Sequence, residues 1–186
     1  DELKSNTFSF YVETRGSVYS KSEVLGVGFY DGISGYFLSK EELENYKSLF
    51  SGKSFKYTYD LKKSIVVLSS LGIDVNQVTF DTMIATYLLD YVVKDDISFV
   101  AQAFDVKIPL YDDLFGSEKR PKEVSLDVLR DVCCQKAKFI YDTRNKLLEK
   151  LEKNEELELF QNIEMPLSRV LADMELNGVY VDRKVL

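Results

Sequence analysis

The chain has 186 residues, 45% of them hydrophobic, with 31 acidic against 24 basic side chains and a net charge of −7. That length holds one domain with a real core, or one domain plus part of another. Histidine is absent and cysteine occurs only twice, which excludes Ser–His–Asp triads, Cys–His dyads and His-ligated zinc; the acidic balance argues against a general electrostatic grip on nucleic acid, and no apolar run approaches the ~20 residues that span a bilayer.

The polar start "DELKSNTFSF" lacks the basic end and apolar run of a signal peptide. With no initiator Met, the chain is expected to be a cytoplasmic fragment of something longer. "FSFYVETRG" opens the pattern, and a first strand is predicted over 7–14. Residues two apart in a strand share a face, so Tyr11 and Glu13 point one way and Phe8, Phe10 and Val12 the other. Residues 23–39 predict a hairpin, with "YDGISG" as its turn. A polar helix follows over about 40–50, with Ser39 as N-cap and Glu42 at capping-box spacing. "SFKYTY", 54–59, is the next strand.

Leu61, Ile65, Leu68 and Leu71 recur at helical spacing and predict a helix over 60–71, ended by Gly72. "QVTF" is a short strand, and Asp81 is a good N-cap for the helix "TMIATYLLD". Residues 95–104 are helical again. The stretch 106–125, with Pro109, Pro121 and a glycine, predicts a long, irregular, mobile loop. A charged amphipathic helix is predicted over 125–153. Another carries Leu157, Phe160, Ile163, Leu167, Val170, Leu171 and Met174 on nearly one face. Pro166 should kink or restart it, Asn177–Gly178 should stop it, and "VYVD", 179–182, should begin a new element. Strands first and helices later give an α/β domain with a mixed sheet. Cys133 and Cys134 are adjacent, so buried thiols are expected rather than a disulfide or zinc ligands. The densest basic stretches, "YDLKKS" and "GSEKRPK", are expected to be solvated surface.

Two stretches, "VTFDTMIATYLLD" and "NIEMPLSRVLADMELNGVYVD", resemble bacterial DNA polymerase I of family A. The former is similar to the segment after that family's exonuclease motif two. The latter is similar to the junction between the 3'-5' exonuclease domain and the polymerase domain. The resemblance implies an α/β, RNase H-like exonuclease fold, a mixed sheet of about five strands flanked by helices. It implies an exonuclease-like domain over 1–160 and the start of a polymerase domain over 161–186.

Active members of that family hold two divalent metals on four acids, which activate water and stabilise the leaving oxygen. The first motif, Asp-x-Glu, falls on Tyr11-Val12-Glu13, so the Asp position is Tyr11. The second, Asn-x-x-x-Asp, falls on Asp60 and Ser64. The third, Tyr-x-x-x-Asp, falls on Val132 and Lys136. Three of the four ligand acids and the Tyr are thus replaced. Serine is a weak donor for a hard dication and a lysine repels it. No catalytic residue and no cofactor are therefore expected for this domain, with Glu13 and Asp60 the residual metal candidates. Mg is expected for the parent polymerase. The implied partners are the polymerase domain of the same chain and, through the parent enzyme, DNA; a monomer without membrane contact is expected.

The expected role is structural. An alternative is an active metal-dependent exonuclease using Glu13, Asp60 and Asp81; another is a single-stranded DNA binding module. Side chain by side chain, Glu13 is expected to be solvated or an ion-pair partner near the old cleft. Asp60 and Asp81 are expected as helix N-caps. Tyr11 should fill the space the metals vacated rather than stack on a base. Lys62, Lys63 and Lys136 are expected as plain surface charge rather than phosphate holders.

Overall fold

A computed structural model describes residues 6–16, 18–117 and 119–178. The sheet is built from β1 (Thr7–Arg15), β2 (Glu23–Tyr30), β3 (Gly35–Ser39), β4 (Phe55–Thr58) and β5 (Val78–Asp81), in the order β3-β2-β1-β4-β5. β1 pairs antiparallel with β2 and parallel with β4; β4 and β5 are parallel. The sheet is therefore mixed, as expected.

β1 lies in the middle and is buried on both faces. On one face Phe8 and Phe10 meet Phe29 and Phe50, with Phe10 and Phe50 edge-to-face at 5.6 Å. Each ring fully removed from water contributes about 1.5–3 kcal/mol. Phe50 comes from the helical stretch after β3, where α1 (Lys40–Leu43) and α2 (Ser48–Ser51) are joined by a 3-10 turn rather than forming one helix. The capping box is present: Glu42 accepts the Ser39 N–H at 2.9 Å.

The other face carries α7 (Leu126–Lys153), 28 residues long. It lies close because β2 presents Gly28 to it: a Cβ there would stand 2.3 Å from the Cys133 carbonyl carbon and oxygen. Ser9 Oγ donates to the Ala137 carbonyl at 2.6 Å and fixes the register of helix on strand. Cys133 is buried, Cys134 is half-buried, and both are free thiols.

α3 (Leu61–Ser69) and α4 (Thr82–Leu88) follow β4 and β5. α5 (Ile97–Gln102) is next. The stretch expected to be an irregular loop over 106–125 carries regular secondary structure among its described residues. It contains α6 (Tyr111–Phe115) and a small hairpin of β6 (Gly116–Ser117) and β7 (Arg120–Pro121). Asp96 ties the start of α6 to α5: its carboxylate caps α5 through Ser98 N and accepts Tyr111 N at 2.8 Å. Ser98 Oγ adds a bond to the Pro109 carbonyl.

The last helical run comprises α8 (Leu157–Leu159), a π-helical turn over Phe160–Glu164 and α9 (Met165–Asn177). The π turn absorbs Pro166 at the first turn of α9, where its missing N–H costs nothing. It also rotates the helix. Phe160 is buried, but Ile163, Leu167, Val170, Leu171 and Met174 are 40–60% exposed. The predicted apolar face thus points to solvent, and Met165, Ser168 and Ala172 are the buried side of α9. Gly178, at φ +68, closes α9 as expected. The element expected over 179–182 lies outside the described residues.

Candidate functional site

A cleft of about 470 Å³ opens at the C-terminal end of β1, walled also by Asp60, Lys62 and Lys63 after β4 and by Met83 after β5. A bulge between Glu13 and Thr14 breaks the strand's alternation, so both residues line it. Bulges beside sites re-aim side chains in this way. Asp60 stands at the same rim two residues after β4, while Asp81, the last residue of β5, is buried and does not line the cleft.

Asp60 adopts φ +58 and its carboxylate accepts the Lys63 N–H at 3.0 Å, so it caps α3 as expected. Asp81 caps α4 through Met83 N at 2.8 Å and Ile84 N at 3.4 Å. The sequence did not announce its other task. The same carboxylate accepts Leu61 N at 2.6 Å and Asp60 N at 3.1 Å, closing the start of α3 as well. One buried acid therefore satisfies orphan donors of two helices. Burial, then the Asp60 charge, push its carboxyl up to about 7 against those N–H bonds. Burial likewise raises Asp60.

Tyr11, Glu13 and Lys136 come together. Lys136 Nζ lies 2.5 Å from Glu13 Oε2, with the two side chains 1% and 3% exposed. The ammonium also stands 4.6 Å from the centre of the Tyr11 ring, a cation–π contact. Burial alone would lower the Lys136 pKa; the Glu13 charge and hydrogen bond outweigh it and leave it raised. Tyr11 is buried, and burial followed by the Glu13 charge holds its phenol well above the ordinary value, so it stays neutral. The expectation that Lys136 is plain surface charge is wrong, and Glu13 is an ion-pair partner rather than a solvated acid. An amphipathic helix of alternating charge carries no signal that one lysine will turn inward; its counter-ion on β1 supplies the reason.

Ser64 is buried one turn into α3, where its hydroxyl donates to the Asp60 carbonyl at 2.9 Å and lies 3.3 Å from Thr58 Oγ1. Tyr11, Asp60 and Ser64 share one small recess beside the cleft. Val132, one turn before Lys136, is buried in the core and does not line the cleft. Lys62 and Lys63 do line it. Lys62 is bound to Glu175 of α9 at 2.5 Å, and Tyr19 OH donates to the same carboxylate. That latch between cleft rim and last helix was not foreseen; its members lie too far apart in sequence to be read as a motif.

These residues do not fit a divalent metal. Glu13 is already neutralised by an ammonium, Asp81 is committed to four backbone N–H groups, and Asp60 to Lys63 N. Among the described residues no group of three or more acidic or thiol side chains gathers closely enough to hold an ion. A hard dication needs several oxygen ligands and net negative charge.

The architecture is that of an RNase H-like exonuclease. Brucella melitensis NrnC, solved with bound Mg2+, superposes with a TM-score of 0.75 at 16% identity, over 96% of this chain and 89% of that one. Escherichia coli RNase D, an exoribonuclease involved in structured RNA processing, does so with a TM-score of 0.69 at 12% identity, over 91% of this chain and 46% of that one. The POL domain of Pol1 from M. smegmatis, in complex with DNA primer-template and dNTP, gives 0.73 at 19% identity, over 97% of this chain and 30% of that one.

Sequence comparison gives the family. Residues 10–143 match the model for the DNA polymerase I, ribonuclease H-like domain, and the chain belongs to that family. It is 33% identical over 183 residues to DNA polymerase I of Bacillus subtilis (94% of this chain), and 32% identical over 178 residues to that of Lactococcus lactis subsp. cremoris (95% of this chain). The chain spans 20% of the length of each of these relatives.

Proposed function

We propose that this chain is a non-catalytic 3'-5' exonuclease-like domain of a bacterial DNA polymerase I, with a structural role. The observation that carries the reading is the Glu13–Lys136 pair, an ammonium bonded to the acid that would have to hold a metal. With Tyr11 packed against the same ammonium, the position that the resemblance assigns to the first ligand is filled by a neutral ring. The parent enzyme is taken to synthesise DNA on a template with Mg through residues outside this chain.

The partner in this reading is the polymerase part of the same chain, with residues 1–160 as the exonuclease-like domain and 161–186 as the start of the next. The exposed stripe Ile163, Leu167, Val170, Leu171 and Met174 supports it, because a row of that kind on a helix leading out of a domain is usually covered by another surface. DNA is met through the parent enzyme, and the unit is a cytoplasmic monomer. No helix among the described residues is long and apolar enough to cross a membrane.

The test is incubation of a 3'-labelled single strand with the chain and Mg or Mn. The label should stay at full length. Metal-dependent shortening that disappears in Glu13→Ala would overturn the reading in favour of a rearranged acidic site. An alternative reading, single-strand binding without cleavage, draws on Tyr19, Tyr111 and Lys63 in the open cleft. Asp60, Asp95, Asp96 and Asp112 line the same space and oppose it.

A further inference from the structure

Another depression, of about 550 Å³, lies at the opposite end of the sheet, where the chain enters β4 and β5. Its polar lining is Ser51, Lys53, Asn76, Gln77, Thr79 and Arg169. None of the lining residues is acidic, in a chain where acids outnumber bases 31 to 24. Two cations thus face a groove whose other polar groups are hydroxyls and amides, all able to donate hydrogen bonds.

A third cation stands behind the groove, bonded to the lining residue Gly52. Lys56 on β4 is fully buried and has no carboxylate partner among the described residues. Its Nζ donates to the carbonyls of Gly52 at 3.0 Å and Ser54 at 2.7 Å. The first of these is an oxygen of a lining residue that would otherwise repel an anion. Burial, then the charge of Arg169, push the Lys56 amine down to about 8, so the two groups sense each other. Arg169 spends one N–H on the Val75 carbonyl at 2.9 Å and makes no ion pair among the described residues; Asp173, one turn on, is the acid whose charge it feels. The remaining guanidinium donors suit the tetrahedral oxygens of phosphate.

We propose that this groove is a phosphate-binding site, separate from the cleft and independent of whether the cleft is catalytic. The phosphate is that of a nucleic-acid backbone or of a free nucleotide or inorganic ion, and the chemistry at Lys53 and Arg169 is the same. The test is amide NMR of the whole chain titrated first with inorganic phosphate and then with a short DNA duplex. Phosphate should move the amides of Gly52, Lys53, Gln77 and Thr79 and leave those of Asp60 and Asp81 in place. If the duplex moves the same set, the backbone is the ligand; if only the free ion does, the ligand is a small phosphate. Lys53→Glu, on an exposed side chain, should abolish the shifts without disturbing the fold, as should Arg169→Gln. In the duplex case the milder Lys53→Ala should weaken binding and lower the log–log salt slope by about 1. No shift at these amides, or shifts that survive both substitutions, would overturn the proposal.

Discussion

The ammonium of Lys136 and the carboxylate of Glu13, 123 positions apart in the chain, meet at 2.5 Å inside the protein. Burying either charge alone is costly, and the pair is tolerated because each neutralises the other. Lys136→Met should therefore cost about 3–5 kcal/mol, since it strands a buried carboxylate. Glu13→Gln combined with Lys136→Met should recover most of that loss. Urea unfolding of the two singles and the double measures the cycle; a double no better than Lys136→Met alone would show that the pair is not coupled.

The same pair sets an alkaline limit. The folded pKa of Lys136 is raised above the ordinary lysine value by Glu13 against the pull of burial. Its contribution is complete below ~10.4, the unfolded value, and is lost as pH rises through the folded one. Glu13→Gln/Lys136→Met should lack this alkaline loss when unfolding is followed across that range.

Asp81 acts at the other end of the scale. Its folded pKa, pushed to about 7 by burial and by Asp60, lies above the unfolded value of ~3.9. The folded state holds this proton more tightly, so stability from this group falls as pH rises from about 4 to about 7 and is level above that. Asp60, also raised by burial, adds the same sign. Thermal unfolding midpoints across this window should show the fall, and Asp81→Asn should flatten it. An unchanged profile in Asp81→Asn would locate the effect elsewhere.

The two sides of α9 should respond in opposite ways. Leu167→Glu or Val170→Asp, on the exposed stripe, should change stability by no more than ~0.5 kcal/mol. Ala172→Leu, on the fully buried side, should cost about 1–3 kcal/mol by overpacking. Equal losses on both sides would mean that the stripe is covered within this domain.

Gly28→Ala tests the seat of α7. The new methyl would meet the Cys133 backbone at 2.3 Å, and backbone cannot swing aside as a side chain does. A loss of at least ~1–3 kcal/mol is expected in chemical unfolding, together with weaker hydrogen-exchange protection along α7.

Much of this was legible in the sequence where local rules govern. The alternation in β1 placed Tyr11 and Glu13 on one face, and Ser39, Asp60 and Asp81 announced helix starts through their chemistry. What escaped depended on partners distant in sequence. Lys136 resembles any lysine on a charged helix until β1 supplies Glu13. Asp96 anchors the start of α6, within an expected loop, by one carboxylate reaching Tyr111. The apolar row on α9 is legible as a row but not as an exposed one, because a π turn changes the phase that a fixed periodicity assumes.

A counter-ion that is part of the chain differs from one that is bound. Lys136 is delivered with every molecule synthesised, cannot dissociate, and cannot be stripped by a chelator. On the proposed reading the charge balance at the heart of this domain should not depend on the supply of divalent ions, and its unfolding should proceed alike in EDTA and in magnesium.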